Sequence, residues 1–578
     1  MITKEPNKIK IRVLLIGILF GICFTAIVAR AVDLHLFKGP LLSQKADGQV
    51  KRSVKALGER GIIFDANMGK MALSIDVTSI GAHPKQIKDV AATAGVLAKA
   101  LRLDRNDLYK KLSSNTTFVW IERHVTPKKV EAVQALNLDG VVFKSEQSRF
   151  YPYKTMAAQI VGFSGVDGRG LEGVEFFYDR VLEGEQAQFR VIRDALGRGL
   201  GLEIDEEKDR SGKNLILTID RRIQYIAETA LAEAVIENGA KNGIAIVMSP
   251  KTGAVLAMAH YPVINPNTYN QYARDKWRNR AITDPYEPGS TLKIFSAAAA
   301  IESGVSGPHS IYYCENGSYR IGRNVVHDTH PYKWLSLEQI IKVSSNIGTV
   351  KLSENIETKN LYNTLKSFGF GERTGIDCPG ETPGMLSPYQ RWTKIDNAAI
   401  AFGQGISVSA IQLITAVSAI ANDGILMKPY VVQAITDKNG AIVEKINPHP
   451  VRRAVSSETA KTVGKMMEKV TEEGGTGTKA ALAGYKVCGK TGTAQKIDEN
   501  GTYAKGKYMS SFVGFVPAEN PEASILVIID EPQKAHYGGV VAAPAFKKIA
   551  LQTLNFLNIP PDGNTEHLTA DRQGEVKG

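Results

Sequence analysis

The stretch Glu287–Gly304, "EPGSTLKIFSAAAAIESG", decides how this chain is read. Pro288-Gly289 breaks any preceding element, an alanine-rich apolar run follows, and Gly304 suits a helix C-terminus. Ser290 therefore falls at a helix start, where unpaired backbone N–H groups and the helix dipole favour developing negative charge. Lys293 follows on the same helix face, with Cβ atoms of such i, i+3 pairs roughly 5–6 Å apart. A serine hydroxyl is a weak nucleophile until a neighbouring base takes its proton. Ser is also a common N-cap and Lys a common surface residue, so S-x-x-K alone describes an ordinary helix start.

Two further elements change that reading. "KVSSNIGTV" supplies the triplet Ser344-Ser345-Asn346, and "CGKTGTAQ" supplies Lys490-Thr491-Gly492-Thr493. The order S-x-x-K, S-x-N, K-T-G is the signature of penicillin-binding proteins and serine β-lactamases. Each element has a physical task. Lys293 must be neutral to act as a base, which partial burial and a second cation, Lys490, would favour. Ser344 can pass a proton between these lysines and a leaving amine. Asn346 offers an amide donor and acceptor to a peptide backbone. Lys490, Thr491 and Thr493 offer charge and hydroxyls to a carboxylate, and Gly492 lets a substrate backbone approach closely. The backbone N–H groups of Ser290 and Thr493 are candidates for an oxyanion hole, worth ~3 kcal/mol per donor. A second copy, Lys251-Thr252-Gly253, precedes Ser290 between two short strands and reads as turn chemistry.

The chain has 578 residues, 43% of them hydrophobic and 22% charged, which predicts two or more folded units. The net charge of +12 is dispersed without a long Lys/Arg run. With no nucleic-acid motif, that charge suits anionic lipid or an acidic polymer, and no nucleic-acid partner is expected. Val13–Ala29 is free of charge, and with "AVDLHLF" it makes a membrane span over 13–36. Lys4, Lys8, Lys10 and Arg12 stand ahead of it against one Glu, which places residues 1–12 in the cytoplasm and the rest outside. No small-x-small cleavage site follows, so an uncleaved signal anchor is preferred to a cleaved signal peptide. The four cysteines, Cys23, Cys314, Cys378 and Cys488, match no zinc or CxxC spacing and leave a Cys314–Cys378 disulfide open.

Strand-rich and mixed segments fill 37–210. The polar stretch "GLEIDEEKDRSGKN" (201–214) marks a boundary. From 211 to 560, strands precede a long helical block, and strands with a terminal helix follow it. That pattern predicts one α+β domain whose sheet draws on both sequence ends. Residues 561–578 read as a mobile tail.

With these residues in place, the chain resembles the class B penicillin-binding proteins, monofunctional D,D-transpeptidases. "RGIIFDANMG" (Arg60–Gly69) is similar to the family's R-G-x-I-x-D-R-x-G segment, with Ala66 in place of the usual Arg. "RFYPYKTMAAQIVGFSGVDGRGLEGVEFFYD" (Arg149–Asp179) is similar to a second signature of the N-terminal module. "RNRAITDPYEPGSTLK", "AFGQGISVSAIQL" and "HYGGVVAAPAF" resemble the transpeptidase core. The S-S-N triplet, the length and the "YGG…AP.F" pattern look most like the cell-division branch; elongation enzymes usually carry S-x-D.

The resemblance implies a single transmembrane helix and an elongated, strand-rich, dimerisation-like pedestal. It also implies a transpeptidase domain with an antiparallel sheet flanked by helices and a helical subdomain. It implies Ser290, Lys293, Ser344 and Lys490 as catalytic residues, and Asn346, Thr491, Gly492, Thr493 and Tyr537 as substrate-binding ones. His536 and Tyr537 match a position that walls the family's active site, although a strand-end turn also explains them. The reaction implied is attack on the D-Ala-D-Ala end of a peptidoglycan stem peptide, an acyl-enzyme at Ser290, and crosslinking by a neighbouring amine. No cofactor or metal is implied. Implied partners are stem peptides, lipid-linked nascent glycan, a SEDS-family glycosyltransferase and other division proteins, with β-lactams as inhibitors. The implied location is the inner membrane, single-pass, with the catalytic domain periplasmic. Competing readings are an elongation-type enzyme, a serine β-lactamase, and a membrane-anchored β-lactam sensor or scaffold. The pedestal-like region opposes the β-lactamase reading, and a sensor needs a cytoplasmic transducer.

Overall fold

A computed structural model describes residues 6–39, 51–184, 186–193, 199–203, 211–498 and 500–561. Apart from Pro561, the expected tail 561–578 lies outside the described residues, as do residues 204–210 of the polar stretch. Helix α1 spans Pro6–Val32 and continues through a wider turn over Asp33–Phe37. The 28 residues Lys10–Phe37 are long and apolar enough to cross a membrane, with none of the most apolar window buried. At 1.5 Å per residue they extend about 42 Å, beyond the ~30 Å of a hydrocarbon core.

The described chain forms two compact units. The first joins residues 1–58 and 184–211 and holds a three-stranded antiparallel sheet of Lys51–Leu57, Gln186–Arg193 and Gly199–Glu203. The second joins 59–183 with 212–578, so contacts do divide between 211 and 212, next to the expected boundary, but 59–183 groups with the chain beyond it. The reason is backbone pairing. Strand Ile63–Phe64 runs parallel to Asn214–Leu217, which runs antiparallel to Val432–Thr436. Lys70–Ala82 extends the same sheet, pairing with Ile63–Phe64 on one side and with Val119–Val125 and Val141–Phe150 further along.

Two of the quoted signatures meet inside this unit. Arg60 Nε and Nη2 donate to Glu175 Oε2 at 2.9 and 2.7 Å, and Arg149 Nε donates to Oε1 at 2.6 Å. Glu175 is fully buried, so its carboxylate is tolerable only because two guanidinium groups hold it. Gly69 closes the Asp65 turn, where its N–H donates to Asp65 Oδ1 at 2.6 Å.

The central five-stranded sheet consists of β1 (Asn242–Met248), β2 (Val255–Tyr261), β3 (Cys488–Ile497), β4 (Tyr503–Val516) and β5 (Ala523–Asp530). Its order is β2-β1-β5-β4-β3, antiparallel throughout, so both sequence ends build it as expected. Every residue of β1 is buried, and its side chains alternate between two cores. Ala245 and Val247 pack with Leu231 and Val235 of α2 (Arg221–Glu237) and with Phe546. Ile244, Ile246 and Met248 join the other core, which holds Phe295 and Ala297–Ala300 of α3 (Lys293–Glu302). Helix α3 is apolar nearly all round because it is buried nearly all round. Its alanines let neighbouring elements close on it, while Phe295 meets Phe368 and Phe370 edge-on at 4.8 and 5.0 Å.

The early Lys251-Thr252-Gly253 copy forms the β1–β2 turn. Gly253 has φ +78°, and a Cβ there would lie 2.5 Å from Lys428 O. Lys251 Nζ donates on the surface to Glu522 and Asn520 at 2.6 and 2.9 Å.

Candidate active site

A 3₁₀ turn over Gly289–Leu292 carries Ser290, and the α-helix proper begins at Lys293. The expected helix start is therefore one tighter turn, which Thr291 braces by donating from Oγ1 to Pro288 O at 2.8 Å. Gly289 N–H donates to Gly403 O at 3.0 Å. A Cβ on Gly403 would stand 2.0 Å from Gly289 O, so that glycine lets the two loops touch. Ser290 opens onto a cavity of about 990 Å³, which Ser344, Asn346, Thr491, Thr493, His536 and Tyr537 also line.

Lys293 is fully buried and bonds two residues that line this cavity, Ser344 and Asn346. Its Nζ donates to Ser344 O at 2.6 Å, to Asn346 Oδ1 at 2.7 Å and to Ser344 Oγ at 3.3 Å. No hydrogen bond joins it to Ser290 Oγ among the described residues. Lys490, on β3 and also fully buried, donates from Nζ to Ser344 Oγ at 2.9 Å and to Thr491 O at 3.2 Å. The three motifs thus converge: a turn, a loop between helices and a sheet edge meet around one hydroxyl.

Ser344 ends α4 (Leu337–Val343) in the left-handed conformation, φ +60° and ψ +39°. For a serine that conformation is uncommon and costs about 1–3 kcal/mol. Asp328, on the preceding loop, helps hold it. Its carboxylate accepts from Ser345 Oγ at 2.6 Å, from Ile347 N at 3.1 Å and from Asn346 N, at the start of α5 (Asn346–Asn355). Asn346 Nδ2 donates to His327 O at 2.9 Å, which turns the amide oxygen toward Lys293. Sequence reasoning passed over Asp328, a single carboxylate in a loop with no motif around it.

Burial lowers the Lys293 ammonium to about 7, with the Asp328 charge opposing. Burial first, and then the charge on Lys293, push Lys490 well below the ordinary lysine value. Burial, rather than the expected second cation, is therefore what brings Lys293 toward neutrality.

The remaining residues differ in their placement. Thr491 Oγ1 meets Thr476 Oγ1 at 2.9 Å, and Thr493 Oγ1 accepts from Gly538 N at 3.2 Å. Tyr537 is about half exposed, and His536 stacks on Tyr508 at 4.5 Å. Gly492 turns away from the cavity. A Cβ there would lie 2.3 Å from Ser511 Oγ and 2.8 Å from Thr291 Cγ2. Its reason is close packing of the Ser290 turn on β3, not the approach of a substrate backbone.

The cavity lining has Lys479, His327, His330 and His536 but no Asp or Glu among the described residues, a balance that suits an anionic ligand. Among the described residues, no group of three or more His, Cys, Asp or Glu is placed to hold a metal. All four cysteines are free, and Cys488 is buried with Sγ against Gly464 O at 3.2 Å.

Comparison with known proteins gives the family. Residues 243–551 match the family described as penicillin binding protein transpeptidase domain, and residues 55–217 match the penicillin-binding protein dimerisation domain. The chain is 36% identical over 575 residues to a protein of Neisseria meningitidis (strain Z2491) named probable peptidoglycan D,D-transpeptidase PenA, covering 98% of this chain and 96% of the relative. It is 34% identical to peptidoglycan D,D-transpeptidase FtsI of Escherichia coli K12, covering 97% and 94%. Among solved structures it is similar to penicillin-binding protein 3 from Mycobacterium tuberculosis complexed with aztreonam. That match has a TM-score of 0.69 at 29% identity and covers 88% of this chain and 98% of the other.

Proposed function

The chain belongs to the class B penicillin-binding proteins, serine-type D,D-transpeptidases most like penicillin-binding protein 3, and from that premise we propose that it crosslinks peptidoglycan stem peptides at the division septum, with Ser290 as nucleophile. The observation that carries the assignment of roles is the convergence of Lys293 and Lys490 on the Ser344 hydroxyl beside Ser290.

In this reading Lys293, neutral through burial, takes the Ser290 proton as Oγ attacks the carbonyl carbon of the penultimate D-Ala. A tetrahedral oxyanion forms, for which the Ser290 and Thr493 N–H groups are the proposed donors. The C–N bond then breaks. The proton on Lys293 passes through Ser344 Oγ to the departing D-Ala amine, leaving an ester on Ser290. An amine from a neighbouring stem repeats the steps in reverse and forms the crosslink. Lys490, Thr491 and Thr493 receive the terminal carboxylate. A carboxylate there restores the Lys490 charge that burial suppresses, so substrate binding itself helps hold a proton on the relay. Asn346 and Tyr537 position the peptide. β-Lactams, mimicking the D-Ala-D-Ala end, are trapped at the ester stage.

The functional boundaries proposed are residues 1–12 in the cytoplasm, the span 13–36, a pedestal to 210, the transpeptidase domain over 211–560 and a tail from 561. The cationic flank ahead of the span 13–36 supports an orientation with the catalytic domain outside the inner membrane. The span and pedestal are proposed to dock a SEDS-family glycosyltransferase. Depletion of the protein should produce filaments, whereas round cells would assign it to elongation. Replacing 13–36 with an unrelated span should preserve penicillin labelling and impair septation. Normal division in that chimera would reduce α1 to a tether.

A further inference from the structure

The segment that leads into the Ser290 turn is held by two neighbours, and one carboxylate joins both. Residues 402–408 run antiparallel beside residues 286–289. Tyr286 and Val408 exchange N–H···O bonds at 2.9 Å in each direction, and Gly289 N–H donates to Gly403 O at 3.0 Å. Between these contacts, Glu287 Oε1 accepts from Gly405 N at 2.8 Å. The second neighbour is the hairpin that joins β3 to β4. Ile497, the last residue of β3, pairs with Tyr503, the first of β4. The Tyr503 hydroxyl donates to Glu287, 3.1 Å at the closer oxygen. Burial first, and then the Glu287 charge, push the Tyr503 phenol up to about 12, so it stays protonated and remains a donor.

Glu287 stands three residues before Ser290 and is half-buried. Gly405 N–H and the Tyr503 hydroxyl are its donors among the described residues, and no cation pairs with it there. Burial raises its carboxyl above the ordinary range, and those two bonds oppose the rise. A half-buried carboxylate held by neutral donors alone is a costly brace for a loop. What a carboxylate adds over an apolar side chain is two charge-assisted hydrogen bonds, one to each neighbouring segment.

We infer that Glu287 is a positioning residue for acylation. It ties both the 402–408 segment and the β3–β4 hairpin to the turn that carries Ser290, and so sets where Ser290 Oγ stands. It acts through Ser290, and the inference rests on Ser290 being the nucleophile. Displacing a reacting group by about 1 Å costs on the order of 10²-fold in rate, so this tie bears on chemistry more than on stability.

The test separates the dissociation constant of the non-covalent penicillin G complex from the acylation rate constant, by stopped flow on the full chain in detergent micelles. Glu287→Ala should lower the rate constant about tenfold or more and leave the dissociation constant within about threefold. Its melting temperature should stay within a few degrees of the wild type. Glu287→Gln keeps an oxygen for Gly405 N–H and a polar group for Tyr503, and should recover most of the rate. Tyr503→Phe should slow acylation about threefold on its own and add nothing in the Glu287→Ala background. Amide hydrogen exchange gives a readout that needs no catalysis: in Glu287→Ala it should quicken together in peptides covering 286–292 and 497–503. A wild-type acylation rate in Glu287→Ala would overturn the inference. Loss of affinity, rate and melting temperature together, without recovery in Glu287→Gln, would also overturn it, because a merely structural residue behaves that way. An equal effect of Tyr503→Phe in both backgrounds would show that the hairpin does not act through Glu287, and would overturn it as well. A wild type that takes up no penicillin would strike the Ser290 reading instead, and unchanged hydrogen exchange in Glu287→Ala would then overturn the tie by itself.

Discussion

Lys293 and Lys490, both fully buried, share one partner: their Nζ atoms lie 3.3 and 2.9 Å from the Ser344 hydroxyl. Two ammonium groups cannot both be charged cheaply at that spacing in a dry site. Burial lowers both ammonium groups, Lys293 to about 7, and in the proposed relay Ser344 is the bridge between them.

The pH dependence of acylation follows. The base form of Lys293 accumulates as pH rises through about 7. The second-order rate of penicillin acylation should climb about tenfold per pH unit below that midpoint and level above it. Stability moves in the same direction. The folded-state value lies below the ordinary 10.5, so the unfolded chain binds the extra proton between the two. The cost of burying Lys293 is full below about 7 and lifts as pH approaches 10.5. Stopped-flow labelling and thermal melts across this range, compared with Lys293→Met, check both. A flat rate profile would remove Lys293 as the base.

Asp328→Asn should act through position and charge together. The variant keeps one acceptor oxygen for three donors and removes the charge that holds the Lys293 value up. Acylation should slow about tenfold, the equivalent of one charge-assisted hydrogen bond. The midpoint of the pH profile should also move to lower pH. A slower rate with an unmoved midpoint would leave Asp328 a purely structural brace.

Gly492→Ala places a methyl against Ser511 and Thr291. Relief must come from Ser511 on β4, from the Ser290 turn or from β3, at a cost of about 1–3 kcal/mol. Penicillin labelling should fall sharply while circular dichroism stays native. Lys251→Ala, in the other Lys-Thr-Gly copy, should label like the wild type. Equal labelling of the two variants would separate Gly492 from the site.

Much of this was legible in the residues, and the illegible parts share a cause. Ser290, Lys293, Ser344 and Lys490 stand in short motifs whose order carries the chemistry. Asp328 was invisible because its partners lie 17 to 19 residues away and its loop has no pattern. The quoted Arg60 and Arg149–Asp179 segments were recognised, but not that Arg60 and Arg149 clasp Glu175, separated by 115 and 26 residues. Gly492 was assigned to the right strand with the wrong reason, since only the folded register shows which side of β3 meets the Ser290 turn. Composition marked a boundary near 210, where contacts do divide, but it cannot show that Ile63–Phe64 crosses back to pair with Asn214–Leu217.

The most direct test is intact-mass analysis of the wild type and Ser290→Ala after incubation with a fluorescent penicillin. Losing the side chain at the turn should cost no more than about 1 kcal/mol of stability, so the variant should fold. The wild type should gain the mass of one drug molecule, mapped to the peptide containing Ser290, and the variant should gain none. A drug adduct on folded Ser290→Ala, or one mapped to another residue in the wild type, would contradict the assignment of the nucleophile.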